Sequence, residues 1–478
     1  MRRWVGAVFA GSLLVVLMAV AAWGAAVAVA DAGIPFSFKA LPLPLRDLPL
    51  TERPFSSNSV VPRVDNGLHD AEGASMRKVD GKLYDFPRGQ ANYGLGNLNS
   101  YRITGDQFYL DRALVQADRL LADHDVGGDA WYYPNYPSRY RHGRPGEFIQ
   151  APYYSALPQG RALMLFSRLG EMTGDAKWTD AAYHTFLAYL RPGPTEGPYV
   201  LDVDSAGYYW LQEWPWPGMK PDDTFNGHNS SAFGLFEYWS ITKDERAAEL
   251  FRGAMTTVLH YLPEIRRPQW ISCYCLLHRG ANPNYHNMHI GQLLTYYHMT
   301  GDAEFARWAD KFSDDYPKPD VHGGLQVEPG AYAAVKVDRD GHVLARRSVT
   351  VKKSATWVCS RRQRLWQRSA IYLRADSGPA RGWWLPERTG KVTFMGIAAV
   401  RTYNPARTLV VAAGKGCSAS QFDDQGRETA KLRIAAPADD LRLAVDRGAF
   451  IDGRERVRVS GGDHDGFWVT LGAGVRLY

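Results

Sequence analysis

Leu163-Met164-Leu165-Phe166-Ser167-Arg168-Leu169-Gly170-Glu171-Met172-Thr173-Gly174-Asp175-Ala176-Lys177-Trp178 is the stretch on which the fold turns. Leu163, Phe166 and Leu169 lie at helical spacing, and beyond Thr173-Gly174-Asp175 a second stripe runs through Trp178, Ala182, Phe186 and Leu190. Gly174 supplies a left-handed C-cap and Asp175, after a short turn, caps the next helix. The mark recurs as Ile103-Thr104-Gly105-Asp106, Ile241-Thr242-Lys243-Asp244 and Met299-Thr300-Gly301-Asp302, with the threonines 69, 69 and 58 residues apart. Each copy marks a helix hairpin. Hairpins in series, joined by long loops rich in Trp, Tyr, Pro and Gly, predict a mainly α chain built on an (α/α) toroid. An α-solenoid is the competing arrangement, but solenoids do not usually carry long aromatic loops at one end of every hairpin.

Outside the hairpins the pattern changes twice. Residues 31–80 are rich in Pro and Leu without a sustained period and read as an extended linker. After Tyr316-Pro317-Lys318-Pro319 come short β-rich runs: Tyr332–Val337, Val349–Val351, Thr356–Cys359, Ala370–Leu373, Val392–Met395, Thr408–Ala412, Lys431–Ile434 and Leu441–Val445. They predict a smaller antiparallel β-sandwich over 319–478, without an acid/base cluster, as a packing or glycan-contacting module. The helical domain then occupies 81–318, consistent with a 478-residue chain too long for one core.

Arg2 and Arg3 precede a run from Trp4 to Ala30 without a charge, long enough to span a bilayer at ~20 residues. Ala28-Val29-Ala30 fits a cleavage site, so 1–30 is a membrane anchor or a signal peptide, with the rest secreted or held outside the cytoplasm. The net charge of +6 is spread thinly, which argues against nucleic acid and suits an anionic substrate drawn to a local positive site. The 15 Trp and 26 Tyr are many, and aromatics commonly line sugar-binding clefts. Of the four cysteines, Cys359 and Cys417 fall in the same predicted domain and could pair, whereas Cys273 and Cys275 lie too close for good bridging geometry. No Cys/His spacing marks a zinc site, so neither a metal nor a cofactor is expected.

Four loop segments sit at one end of the hairpins. They are Ala91-Asn92-Tyr93-Gly94-Leu95, then Ala151 to Arg161 with Tyr154, Gln159 and Arg161, then Tyr209 to Pro215 followed by Phe225-Asn226-Gly227-His228, and finally Asn282-Pro283-Asn284-Tyr285-His286. The last begins a helix, with Asn282 placed to cap it and Tyr285, His289 and Gln292 on one face.

Taken in order, Asn-Tyr-Gly-Leu, Tyr-Ser-Ala with Gln-Gly, Glu-aromatic-Pro with Asn-Gly, and Tyr-His-x-x-His-Ile-x-Gln-Leu resemble the C-terminal catalytic domain of the D-glucuronyl C5-epimerases over residues ~85–315. That family inverts C5 of D-glucuronate within a polysaccharide, giving L-iduronate without cutting the chain. The C5 proton lies α to a carboxylate, so its removal builds an enediolate that needs charge stabilisation, and a proton must return from the opposite face. By motif, the resemblance implies Glu213, Tyr285 and Tyr93 as catalytic groups, with Glu213 and Tyr285 as the acid/base pair. It further implies Tyr154, Gln159, Arg161, Trp214, Asn226, His228, Tyr274, His286 and His289 as substrate-binding groups. The expected partner is an anionic, heparosan-like polysaccharide containing uronic acid, and a homodimer is the state the resemblance would imply.

Three features depart from the family. Trp214 replaces a tyrosine after the glutamate. Tyr274-Cys275-Leu276-Leu277 replaces Tyr-Asp-Leu-Arg, leaving Arg279 as the nearest substitute for the carboxylate-binding arginine. The β-rich part follows the helical part instead of preceding it. Two alternatives stand beside the epimerase: a polysaccharide lyase sharing the C5 proton abstraction, and a non-catalytic glycan-binding protein. A glycoside hydrolase would need a second carboxylate near Glu213, for which Asp222 and Asp223 are the candidates.

Overall fold

The computed structural model describes residues 27–28, 33–194 and 197–478. Among the described residues eight α-helices form four antiparallel hairpins: α1 (Pro87–Thr104) with α2 (Gln107–Ala122), α3 (Ala156–Thr173) with α4 (Ala176–Leu187), α5 (Phe225–Thr242) with α6 (Glu245–Ile265), and α7 (Pro283–Thr300) with α8 (Ala303–Asp315). Each repeated tetrapeptide is the joint of one hairpin. Gly105, Gly174 and Gly301 take φ near 70°, while Lys243 is driven into the same left-handed region at 57°. Asp106, Asp175, Asp244 and Asp302 then accept from the backbone N–H two residues on, and each preceding threonine hydroxyl accepts from the aspartate's own N–H at 3.0–3.2 Å.

The odd-numbered helices pack side by side in the row α1, α3, α5, α7. The closest approach is between α3 and α5, where a methyl group on Gly160 would lie 2.7 Å from the Ser231 carbonyl oxygen, and one on Gly234 2.6 Å from the Gly160 carbonyl oxygen. Two turns along, Arg168 on α3 grips Glu237 on α5 through two bonds of 2.8 and 2.9 Å, both side chains being buried.

The mainly α expectation is overturned. Helix accounts for 33% and strand for 30% of the described residues, and the C-terminal part holds two seven-stranded sheets instead of one smaller sandwich. The first takes seven strands between Asp320 and Met395, the second seven between Ile397 and Leu477, all antiparallel, with separate buried clusters around Phe394 and Val457. The sequence reading missed Asp320–Val327, which carries Gly323-Gly324, and Arg454–Val459, where Arg-Glu-Arg occupies half of the strand. Apolar content under-reports strands whose one face is charged. Strand Ile397–Val411 packs on α7 and α8, where its Arg401 and Arg407 both pair with Asp310.

Two further expectations are corrected. The linker reading fails because residues 33–56 strap the helices: Phe38 is 2% exposed and lies against Gly253 and Tyr209, and Arg53 pairs with Glu171 and Glu237. Cys359 and Cys417 stand in different sheets and, like Cys273 and Cys275, are free. The uncharged run 4–30 lies almost wholly outside the described residues, among which no helix is long and apolar enough to cross a membrane.

Gly160→Ala is expected to cost about 1–3 kcal/mol, because the added carbon meets backbone that cannot move without separating α3 from α5. Gly291→Ala, inside α7 but with open space around it, should gain about 0.5–1 kcal/mol from helix propensity alone. Urea unfolding of both variants checks the contrast.

Candidate active site

Between the ends of the hairpins lies a cleft of about 570 Å³. Its floor is Glu213, which follows the strand Tyr209–Leu211. Three bonds set that strand: Ala156 at the head of α3 donates to the Gln212 carbonyl (2.9 Å), Gln212 donates to Val200 (2.8 Å), and Leu211 donates to Nδ1 of His228 (3.0 Å). His228 Nε2 in turn donates to the Ala254 carbonyl at 3.0 Å, so both nitrogens are committed in one neutral tautomer. Burial pushes its pKa down to about 4, in keeping with that neutral form.

Glu213 is 7% exposed, and its carboxylate rests on the first turn of α5, where Gly227 leaves room; a methyl group there would lie 2.6 Å from Oε2. The helix N-terminus and the guanidinium groups of Arg88 and Arg139 favour the charged form. Burial and the neighbouring Asp222 oppose it and win, raising the pKa to about 7. Tyr274 donates its phenolic hydrogen to Glu213 Oε2 at 3.0 Å. Burial, the Glu213 charge and Tyr285 hold Tyr274 far above the usual phenol range, so it stays a donor. The Tyr285 ring packs on Tyr274 at 4.4 Å between centroids.

The structure thus brings Glu213, Trp214, Tyr274 and Tyr285 into one cleft and places the other expected residues around it. Tyr93 donates to Asp65 at 2.5 Å and Tyr154 to Asp125 at 2.8 Å, both away from the cleft. Gln159 spends its amide on the Trp131 and Thr185 carbonyls, and Arg161 is buried against the Phe55 ring and the Ser230 carbonyl. Asn226, on α5, accepts from the Gln292 amide with its backbone carbonyl. His286 and His289 place Nδ1 within 2.9 Å of the Ser272 hydroxyl, and Nδ1 of His286 also accepts the Ser272 N–H at 3.0 Å. Burial drives both imidazoles toward the neutral form. The His-x-x-His pair therefore pins the backbone two residues before Tyr274 and leaves no charge beside Tyr285.

Arg279 faces away, donating to the Glu264 carbonyl at 2.9 Å. The cleft's positive charge comes instead from Arg77, Arg88, Arg139 and Arg144, none of which was singled out from the sequence. For Arg139 and Arg144 the signal was there in Arg139-Tyr140-Arg141-His142-Gly143-Arg144, four basic residues in six at a hairpin. Arg139 lies 4.4 Å over the Trp214 ring, which Tyr153 also stacks against, forming a flat aromatic and cationic wall. Asp222 and Asp223 do not line the cleft. Asp222 is held by His142 and Thr224, and Asp223 by Gln212. Cys275 and His278 form the rim next to Tyr274, their side chains 3.5 Å apart.

Residues 129–314 match the family model described as the D-glucuronyl C5-epimerase C-terminus, a carbohydrate-modifying enzyme family. All of the cleft-lining residues named above except Arg77 and Arg88 fall inside that span. An uncharacterised protein of Methanocaldococcus jannaschii is 23% identical over 211 residues, 43% of this chain, which spans 65% of that relative. Among solved structures, the cellobiose 2-epimerase of Bacillus thermoamylovorans is 12% identical with a TM-score of 0.40, over 52% of this chain and 66% of that one. An unsaturated glucuronyl hydrolase of Streptococcus agalactiae is 17% identical with a TM-score of 0.34, over 48% and 57%.

A raised carboxyl pKa makes the folded protein hold more protons than the unfolded chain between pH 4.5 and about 7, so this group's contribution to stability falls as pH rises through that window. Asp202 and Asp223, raised to about 7 and about 6 by burial, add to the slope, and only a paired comparison isolates Glu213. Glu213→Gln should therefore gain on the wild type by about 1–3 kcal/mol between pH 5 and pH 8. Urea unfolding at both values tests it, and parallel pH profiles would contradict the assignment.

Proposed function

We propose that the protein is a uronic-acid C5-epimerase acting within an anionic polysaccharide. The observation that carries this is a single buried carboxyl group, poised near neutrality, facing two phenols in a cleft lined by four arginines. Glu213 near pKa 7 is suited to take a proton at neutral pH, since general catalysis is most effective when the pKa matches the working pH. Abstraction moves the C5 proton to Glu213 and leaves an enediolate with a second negative charge. Arg77, Arg88, Arg139 and Arg144, which all line the cleft, neutralise the uronate carboxylate and that developing charge. Tyr285 returns a proton from the opposite face, and Tyr274 holds Glu213 in position through its 3.0 Å bond. Glu213 and the Tyr285 phenolate then reset by exchange with water in the open cleft, or by turnover in the reverse direction.

Trp214 presents a ring face under Arg139, suited to a sugar ring and unable to move a proton. The absence of a family tyrosine at this position thus removes a further proton carrier and leaves the Glu213 and Tyr285 pair in place. We place the substrate outside the cytoplasm, in keeping with the uncharged N-terminal run, and take it to be a uronate polymer of the heparosan type. A hydrolase reading loses support because Asp222 and Asp223 do not line the cleft that Glu213 faces.

Incubating the enzyme in deuterated water with a panel of uronic-acid polymers is expected to place deuterium at C5 without forming an unsaturated, ultraviolet-absorbing product. Glu213→Gln and Tyr285→Phe should each slow the exchange by about 10²–10⁴-fold while glycan binding persists. An unsaturated product would make the protein a lyase, and a blank panel would remove the enzyme assignment.

A further inference from the structure

Three separate stretches of chain converge on the rim of the cleft and bring together four groups of the metal-ligating kind. His142 comes from the turn Arg141–Gly143, Asp222 from the loop before α5, and Cys275 and His278 from the segment before α7. Their ligand atoms all lie within 4.8 Å of one another. Other bonds hold the stretches together independently of these four side chains: the backbone N–H groups of Leu276 and Leu277 donate to the carbonyls of Asp223 and Asp222, and the Arg141 guanidinium donates to the Lys220 carbonyl at 2.9 Å. His142 sits at φ 52°, a strained conformation for a residue with a β-carbon that persists only where its surroundings over-determine it.

The outer layer is built as metal sites are. His278 Nε2 lies 2.8 Å from Glu147 Oε1, and the other Glu147 oxygen accepts from Arg141 at 2.5 Å. A carboxylate that takes the Nε2 hydrogen fixes the tautomer and leaves the Nδ1 lone pair free, and Nδ1 is the atom facing Cys275. Thr224 donates to Asp222 Oδ2 at 2.9 Å, and the His278 N–H points at Cys275 Sγ at 3.4 Å. Asp222 is 0% exposed, yet its Oδ1 has no hydrogen-bond partner. A buried carboxylate oxygen without a partner is costly and needs an explanation.

We propose that His142, Asp222, Cys275 and His278 bind one divalent transition-metal ion, and that the ion is zinc. Two imidazoles, one thiolate and one carboxylate are the ligands zinc takes in tetrahedral sites, while the sulfur and nitrogen atoms exclude calcium and magnesium. The tetrahedron requires ligand-to-ligand spacings of about 3.3–3.8 Å, so the four atoms need shifts of about 1 Å. Binding displaces the Cys275 thiol proton to water, and the thiolate with the Asp222 carboxylate balances the ion's two charges. The Cys275-x-x-His278 spacing is the one trace of this in the sequence; the other two ligands lie 53 and 133 residues upstream of Cys275.

The ion would be a positioning device for the cleft wall. Cys275 follows Tyr274, and the His142 ring meets the Tyr274 and Trp214 rings edge-on at 5.2 and 5.9 Å. The metal site does not depend on the epimerase reading.

The full chain, purified in mild detergent without a histidine tag, should hold one zinc per molecule by mass-spectrometric metal analysis. After removal with a chelator it should take up one equivalent of added zinc in competition with a chromophoric chelator. Cobalt in place of zinc should give the intense near-ultraviolet thiolate band, absent in Cys275→Ser. His142→Ala and His278→Ala should weaken zinc binding at least 100-fold, and Glu147→Gln about 10–100-fold. Failure of the wild type to take up a stoichiometric equivalent would overturn the proposal even if every variant misfolds, as would Cys275→Ser binding zinc as tightly as the wild type.

Discussion

The contact between α3 and α5 is the constraint from which the rest of the molecule follows. Gly160 and Gly234 let two backbones touch, and the buried Arg168–Glu237 pair locks the helices in register. A buried ion pair of this kind is weak evidence for stability but fixes alignment strongly, because sliding either helix leaves an uncompensated charge in the core. Arg53 from the N-terminal strap joins the same carboxylate. Alignment at this point carries directly to the cleft: the start of α3 holds the Gln212 carbonyl, and the first turn of α5 supports Glu213.

From that scaffold the electrostatics of the cleft follow. A carboxylate at a helix N-terminus with arginines nearby would ordinarily be acidic. Here desolvation and Asp222 outweigh both influences, and Glu213 is left near pH 7. The histidines contribute by being neutral. His228 and His286 have both nitrogens turned to backbone or to Ser272, and His289 turns Nδ1 to Ser272, so they act as rigid spacers for the strand that leads into Glu213 and the segment bearing Tyr274.

How much of this was legible in the sequence differs from element to element. The hairpins were, because Thr-Gly-Asp joints encode their geometry locally: a hydroxyl, a residue tolerant of positive φ and a capping carboxylate are all that the turn needs. The balance of the fold was not. Strands such as Arg454–Val459, half of it Arg-Glu-Arg, and Asp320–Val327, with Gly323-Gly324 inside it, carry little apolar signal of their own and borrow their burial from neighbours far along the chain. The strap over 33–56 was read as a linker for the same reason, since Phe38 and Arg53 find their partners more than a hundred residues away.

For the site, the sequence by itself determined residue types: a glutamate, tyrosines and histidines in family order, with Trp214 and Leu277 as departures. Only the tertiary structure decided their parts. It separated Glu213, Trp214, Tyr274 and Tyr285, which face the cleft, from Tyr93, Tyr154, Gln159, Arg161, Asn226, His228, His286 and His289, which do not line it. It supplied arginines from a hairpin the motifs never touched, and it gathered His142, Asp222, Cys275 and His278 from three loops. Local chemistry can be written into neighbouring residues, but charge neutralisation and ligand convergence depend on distances across space, and these exist only once the helices have packed.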